Sequence, residues 1–227
     1  MTVASGSRQQ VLASITKATA AAARPDQERR EQYAAIERSY VHQGERTRQQ
    51  TLDRMKERLH EYDAGVVETT PAGLAATIAA ELHASGHKLF VVPAGLAPEW
   101  LPEGFTYRVD HGQEPGGKGL EHAEIEQCEG VVTAAFCAVA DSGTIVLHHG
   151  PAEGRRVLTL LPDYHLCILR TSQVVETLPE YFARCAEPPR LATTISGPSA
   201  TADIEMTRIK GVHGPRFLQV ILVDDEA

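Results

Sequence analysis

The fold is decided by the stretch from Gly65 to Pro93, which reads GVVETTPAGLAATIAAELHASGHKLFVVP. Val66–Val67 indicates a short strand, and Leu89–Val92 is an apolar run typical of a buried strand. A helix is predicted over Pro71–Gly86, since proline suits a first helical turn and glycine commonly follows the last one. Its apolar side chains recur on one face at Leu74, Ile78 and Leu82. This order of strand, helix and strand predicts a unit with two parallel strands.

The same alternation continues toward the C-terminus. Further strands are predicted at residues 106–109, 130–139, 144–147, 166–169, 191–195 and 217–223. Helices are predicted at residues 120–128 and 172–185, the second divided at Pro179. Alternating units of this kind predict an α/β fold, a three-layer sandwich with a mainly parallel sheet.

The first quarter of the chain has a different character. We predict an N-terminal helical arm over residues 1–51 and the main domain over residues 52–227. At the start of the main domain, apolar residues recur at helical spacing at Leu52, Met55, Leu59 and Tyr62. This stripe must dock on the main domain or on a second subunit, and a homo-oligomer is therefore one of two open possibilities.

Composition and charge exclude several classes of protein. The chain has 227 residues and a formal net charge of -8, whereas nucleic-acid-binding domains typically carry a basic surface. We therefore expect no nucleic-acid partner. The sequence lacks a signal-peptide pattern and an apolar run long enough to span a membrane, so a cytoplasmic location without a membrane span is expected.

Cofactor motifs are also missing. The cysteines Cys128, Cys137, Cys167 and Cys185 are widely spaced, and no Cys-x-x-Cys pair suggests a zinc site or an iron–sulfur cluster. Residues 112–118 have the spacing of a phosphate-binding loop, but a glycine follows where serine or threonine would hold magnesium. We expect this chain to bind no metal and no cofactor by itself.

The main candidate ligand site is the segment ISGPSATADIE at residues 195–205. A strand runs into a loop at Gly197 and then into an expected helix start, where free amides and the helix dipole favour anions. The hydroxyl groups of Ser196, Ser199 and Thr201 add hydrogen-bond donors. Ser199 or Thr201 could instead only cap the helix, and the pattern leaves both interpretations open.

Two carboxylates in this segment are candidate catalytic groups. Asp203 and Glu205 stand two residues apart, so on a helix they point to different sides and would converge only on an extended backbone. Asp203 would share a helix face with Ser199, which makes it the better candidate. Glu205 could pair with Arg208 instead.

Two other loops supply further candidates. In the loop at residues 211–216, His213 could act as acid, base or anion ligand, and Gly214 lies beside it, although a lone loop histidine is commonly a plain surface residue. In the loop at residues 150–156, Arg156 is a candidate anion ligand, since arginines beside glycines suit carboxylate or phosphate capture. At least one of the pair Arg155 and Arg156 is expected to be a solvated surface charge.

The last candidates lie at a turn signal near residue 142. Gly143 is suited to the positive φ of a hairpin turn, so the turn could be purely structural. A functional version would bring the Asp141 carboxylate and the Thr144 hydroxyl to a ligand-binding edge of the sheet.

Four blocks of sequence occur in a characteristic order. They are GTIVL at residues 143–147, RVLTLLPDYH at 156–165, SGPSATADIE at 196–205 and GVHGPR at 211–216. Together they resemble the lactate-utilization protein C family, which carries the LUD domain. Each block alone is weak, but the ordered run of four is specific. In this family the stretch before Gly-Thr is often Glu-Thr, and here Asp141 and Ser142 replace it, which retains a carboxylate with a shorter reach.

The resemblance implies a fold like that of sugar-phosphate isomerases and CoA transferases, the NagB/RpiA/CoA transferase-like fold. It further implies an accessory role in bacterial L-lactate utilization, the oxidation of L-lactate to pyruvate, together with two iron–sulfur partner proteins. No catalytic residue is carried over from the family, so the sequence leaves open whether the chain is an enzyme. The alternative is an enzyme or sensor of the isomerase/CoA-transferase-like class that binds a small carboxylate or phosphate.

Overall fold

A computed structural model describes residues 4–20, 25–187, 189–201, 209–210 and 214–226. The chain divides into two compact units, Met1–Tyr40 and Val41–Ala227. Its helices are α1 (Ala4–Ala20), α2 (Asp26–Ala34), α3 (Arg48–Glu61), α4 (Leu74–Ser85), α5 (His122–Glu126) and α6 (Leu178–Arg184). None of the helices in the described ranges combines the length and apolar character that crossing a membrane requires.

The strands belong to the second unit. They are β1 (Gly65–Thr69), β2 (Leu89–Pro93), β3 (Thr106–Asp110), β4 (Gly130–Ala134), β5 (Cys137–Val139), β6 (Thr144–Leu147), β7 (Tyr164–Arg170), β8 (Val174–Val175), β9 (Thr193–Ile195), β10 (Ala200–Thr201), β11 (Ile209–Lys210) and β12 (Phe217–Val223).

Six of these strands form the central sheet, in the order β1-β12-β7-β4-β2-β3. Every pairing within this sheet is parallel. A second sheet has the order β8-β5-β6-β9, and its β6 pairs antiparallel with both β5 and β9. The predicted α/β fold with a mainly parallel sheet is therefore confirmed.

The core lies on both faces of the central sheet. On one face, Leu74, Ile78 and Leu82 of α4 are buried against apolar side chains of β2, β4, β7 and β12. On the other face, Met55 and Leu59 of α3 and the second sheet pack against β7 and β12. These contacts make three layers. They also show where the apolar stripe of α3 docks, because Met55 and Leu59 are buried within the same unit.

Local sequence patterns failed at three places. The run at residues 130–139, predicted as one strand, splits into β4 and β5, which belong to different sheets. The predicted helix at residues 172–185 begins only at Leu178, after the short strand β8, and Pro179 lies in its first turn instead of dividing it. A helix start directly after Ser199 is also wrong, since Ala200 and Thr201 form β10, which pairs antiparallel with β11, whereas a start after Thr201 would lie outside the described residues.

The N-terminal unit contains α1 and α2. Every side chain described between Ser7 and Tyr40 is exposed. The predicted helical character of this region is confirmed, whereas the predicted division between residues 51 and 52 stays a prediction.

Candidate functional site

A cleft between the two sheets gathers several of the predicted ligand-contacting residues. It encloses about 250 Å³ and is lined by Arg156, Ser196, Gly197, Ser199 and Gly214. The apolar part of its wall is formed by Leu160, Ile195 and Leu218. The fold thus brings residues from three of the sequence blocks to one place, although their contact with a ligand stays a prediction.

A backbone hydrogen bond joins two of the segments that line the cleft. The Ser199 amide donates to the Pro215 carbonyl at 2.8 Å, and this bond joins the loop after β9 to the loop before β12. Ala200 is paired with Lys210 in the small two-stranded ladder. The Ser199 amide is therefore engaged within the protein and is not a free anion donor, whereas the rest of the predicted anion site, beyond Thr201, lies outside the described residues.

Hydroxyl groups form a chain along the edge of the second sheet. The Oγ1 atom of Thr144 lies 2.8 Å from Oγ of Ser142 and 2.8 Å from Oγ of Ser196. Thr144 is buried, whereas Ser196 is exposed and lines the cleft. Thr144 therefore contacts the Ser196 hydroxyl from the buried side, across the β6–β9 pairing.

Neighbouring arginines have different environments. Arg155 donates to both carboxylate oxygens of Asp110, at 2.9 and 2.5 Å, and the Asp110 side chain is fully buried. Arg156 is exposed and lines the cleft. Within the described part of the chain, Arg156 has no carboxylate partner. Arg155 is therefore structural, and Arg156 is available to an anion.

His165 lies at the floor of the cleft and was not among the predicted site residues. Its Nε2 atom lies 2.8 Å from Oγ1 of Thr133 in a buried contact. Burial lowers the pKa of His165 from 6.5 to about 4, because a charged imidazole is poorly solvated there. The histidine is therefore neutral at physiological pH. The sequence does contain a sign of its role, since His165 is a polar residue at the second position of an otherwise apolar strand.

A second histidine supports the wall of the cleft. His149 is buried, and its Nε2 atom lies 2.8 Å from Oγ1 of Thr193, which lines the cleft. The loop that holds His149 is braced by the buried carboxylate of Glu153, which accepts from the His148 amide. Burial raises the pKa of Glu153. Sequence analysis missed both residues, because neither shows a local motif.

The turn at residues 140–143 does not reach the cleft. It is the predicted hairpin turn between β5 and β6, with Gly143 at a φ of 60°. A Cβ atom at Gly143 would lie 2.6 Å from Cβ of Arg58, so this glycine permits close packing of α3. The Asp141 carboxylate pairs with Arg46 at 2.6 Å and lines a separate depression.

Four predicted residues lie wholly or partly beyond the structural description. Asp203, Glu205 and His213 fall outside the described residues, and for Thr201 only the backbone is described, in β10. Their predicted roles stay predictions. Within the described residues, no group of three histidine, cysteine, aspartate or glutamate side chains is arranged to hold a metal ion.

The cleft is suited to binding a small anion. Its described lining contains one guanidinium, several hydroxyl groups and one neutral imidazole, without a carboxylate. An arginine and hydroxyl donors of this kind are typical partners for carboxylate or phosphate oxygens.

Comparison with known proteins gives consistent matches. A family model described as the LUD domain matches residues 45–223. Lactate utilization protein C of Deinococcus radiodurans is 38% identical over 180 residues, which cover 78% of this chain and 81% of that relative. Lactate utilization protein C of Halalkalibacterium halodurans is 41% identical over 109 residues, which cover 45% of this chain and 47% of that relative.

One solved structure is similar over nearly its whole length. The crystal structure of a DUF162 family protein from Deinococcus radiodurans superposes with a TM-score of 0.63 and 32% sequence identity. The match covers 79% of this chain and 99% of that chain.

Proposed function

The chain belongs to the LUD domain family, and from this premise we propose that it takes part in bacterial lactate utilization. The observation that carries the proposal is the 38% identity to a lactate utilization protein C over most of both chains. We further propose that it is a cytoplasmic accessory component in the oxidation of L-lactate to pyruvate.

We also propose that separate iron–sulfur partner proteins carry the electrons. Iron–sulfur clusters are typically held by cysteine thiolates in closely spaced motifs, whereas Cys128, Cys137, Cys167 and Cys185 are widely spaced in this chain. This spacing supports a division of labour between this chain and its partners.

Deletion of the gene tests the proposed role. In a strain without paralogues, the deletion should abolish growth on L-lactate as sole carbon source and leave growth on glucose unchanged. Plasmid-borne wild-type protein should restore growth on lactate. Normal growth of the deletion strain on lactate would contradict the proposal.

Affinity purification tests the partners. The tagged full chain, isolated anaerobically from lactate-grown cells, should bring down proteins whose visible absorption and iron content report iron–sulfur clusters. Recovery of the chain alone from cells that oxidise lactate through it would contradict the proposed partnership.

A second candidate function is the binding of a small carboxylate or phosphate by the chain itself, as an enzyme or a sensor. The interlayer cleft favours it, because Arg156 and the hydroxyl groups of Ser196 and Ser199 line one enclosed space. A ligand that binds the folded state should raise the unfolding temperature of the isolated protein. Absence of any shift across a panel of carboxylates and phosphates would contradict this function.

A further inference from the structure

We infer that the chain self-associates by exchange of its first helix: the apolar face of α1 in one copy packs on an apolar patch beside α6 of a second copy. The exchange is reciprocal, so the assembly closes as a two-fold symmetric dimer. The inference concerns an interaction surface and stands independently of the proposed role in lactate utilization.

The apolar face of α1 is uncovered within one copy. Val11, Leu12 and Ile15 recur at helical spacing and are 56%, 52% and 53% exposed. Every described side chain of α1, from Ser7 to Ala20, is exposed. Most of the stability of a helix in a protein comes from packing of its apolar face, so α1 is stabilised by a surface that covers these three residues.

A matching apolar surface lies on the second unit. Among the described residues of that unit, the large apolar residues with the greatest exposure are Val41 at 66%, Phe182 at 61% and Leu178 at 50%. Val41 and Leu178 line one depression of about 800 Å³, and Phe182 follows Leu178 by one turn of α6. We call these three residues the α6 patch. The most exposed apolar residues of the unit are therefore concentrated at one place.

Charge favours α1 as the occupant of the α6 patch. The α1 helix contains Arg8 and Lys17 and no acidic residue, whereas residues 41–227 contain 26 acidic and 16 basic residues. A cationic helix and an acidic surface attract each other, and this attraction guides which faces meet. Pairing of α1 with α1 of the second copy would instead bring only like charges together.

The immediate surroundings of the α6 patch have the same negative sign. The depression beside it is lined by the carboxylates of Glu45, Asp141 and Glu176, and Arg46 is the cation in its described lining. Arg46 is already paired with Asp141 at 2.6 Å and with Glu176 at 2.9 Å. The lining therefore keeps a net negative charge, which attracts the basic side chains of α1.

A second copy covers both surfaces at once. Each copy offers one cationic apolar helix face and one acidic apolar patch, so reciprocal exchange covers all four surfaces of the dimer. A different partner protein on α1 would leave the α6 patch exposed to water. Because each contact is small, we expect association to depend on concentration, with dimer in concentrated protein and monomer on dilution.

Light scattering on a dilution series of the full chain tests the inference. Concentrated protein should have twice the mass of one chain, and dilute protein should have the mass of one chain. Added salt should shift the equilibrium toward monomer, because it screens the attraction between α1 and the acidic surface. Monomer at every concentration would overturn the inference, and a dimer that salt does not weaken would overturn the argument from charge.

Two variants assign the two surfaces. Ile15→Asp on α1 and Phe182→Ser on the α6 patch should each raise the dissociation constant of the dimer about tenfold or more, which corresponds to about 1.4 kcal/mol. Both positions are exposed, so both variants should fold like the wild type. Ala13→Asp, on the opposite side of α1, should weaken association much less, and Leu161→Ser, at another exposed apolar residue, should associate like the wild type. Wild-type association of either Ile15→Asp or Phe182→Ser would contradict the assignment.

A mixture of the two variants distinguishes reciprocal exchange from other pairings. The Phe182→Ser copy keeps an intact α1, and the Ile15→Asp copy keeps an intact α6 patch, so together they can form one of the two contacts. A tag on one variant should therefore capture the other at a concentration where each variant alone is a monomer. Dissociation by Ile15→Asp alone would indicate pairing of α1 with α1, and dissociation by Phe182→Ser alone would indicate pairing of patch with patch. Either result, or no capture from the mixture, would overturn the proposed exchange.

Discussion

Burial decides what His165 can do. An exposed imidazole titrates near 6.5, but His165 stays neutral to a pH of about 4 because the cleft floor excludes water from the ring. The same burial makes this residue a source of acid sensitivity. In the unfolded chain it takes up a proton as the pH falls through 6.5, and in the folded protein it does not.

The first prediction follows from this difference. Because the unfolded state binds the proton more readily between pH 6.5 and about 4, His165 should lower the free energy of unfolding as the pH falls through this window, by about 2 kcal/mol between pH 7 and pH 5. Urea unfolding at the two pH values measures the fall. His165→Gln, which cannot titrate, should show a smaller fall, and an identical fall in both proteins would contradict the prediction.

Gly197 is a residue whose conformation and surroundings both require glycine. Its φ is 84°, and a Cβ atom there would overlap Cβ of Tyr62 at the end of α3. Gly86 has a similar φ of 75°, but a Cβ atom there would meet nothing within 4 Å. Comparing alanine substitutions at Gly197 and Gly86 therefore separates the cost of backbone strain from the cost of steric overlap.

The second prediction uses that pair. Gly86→Ala should lower the free energy of unfolding by about 1 kcal/mol, the cost of a left-handed alanine. Gly197→Ala should lower it by about 3 kcal/mol, because overpacking against Tyr62 adds to the same strain. Chemical denaturation of both variants measures the difference, and equal losses would show that α3 moves aside without cost.

At the scale of elements, one buried ion pair positions the segment that carries Arg156. Asp110 ends β3, and Arg155 precedes the 3₁₀ turn at residues 156–159. Asp110 also accepts from the Leu120 amide, and Arg155 donates to the Leu120 carbonyl. A Cβ atom at Gly112 or Gly119 would overlap Arg155. Gly112, the first glycine of the loop pattern, and Gly119, the glycine that follows that pattern, therefore leave room for a guanidinium group.

The third prediction concerns this pair. Arg155→Met should lower the free energy of unfolding by about 3 kcal/mol, because it leaves the Asp110 charge buried without its partner. Adding Asp110→Asn should restore part of the loss, since the uncompensated charge is then removed. A double-mutant cycle by urea unfolding measures the coupling, and strictly additive losses would contradict it.

At the scale of the whole molecule, the two units differ in how much they bury. The unit Val41–Ala227 contains both sheets and the buried apolar clusters. In the unit Met1–Tyr40, all described side chains from residue 7 onward are exposed. The stability of the second unit should therefore not depend on the first.

The fourth prediction tests this independence. A fragment of residues 41–227 should unfold cooperatively, with a free energy of unfolding within about 0.5 kcal/mol of the full chain, as expected when only exposed residues are removed. Light scattering on both proteins then reports whether residues 1–40 mediate self-association. Loss of cooperative unfolding in the fragment would show that residues 1–40 complete the fold.

The sequence by itself determined the layered architecture. The patterns in residues 65–93 and 217–223 are local, since apolar periodicity, proline and glycine act within a few positions of one another. They correctly predicted β1, α4, β2 and β12. Local loop motifs also indicated Arg156, Ser196 and Ser199 as ligand contacts, and the fold places these three in one cleft.

Only the tertiary structure decided which distant groups meet. The apolar run at residues 130–139 gives no local sign that it crosses from one sheet to the other. Nothing near Thr133 in sequence indicates that its hydroxyl contacts the His165 ring. Likewise, nothing near Arg155 indicates that it forms an ion pair with Asp110. The physical reason is that local patterns report burial and backbone preference, whereas pairing, desolvation and the available charge on Arg156 depend on residues that folding brings together.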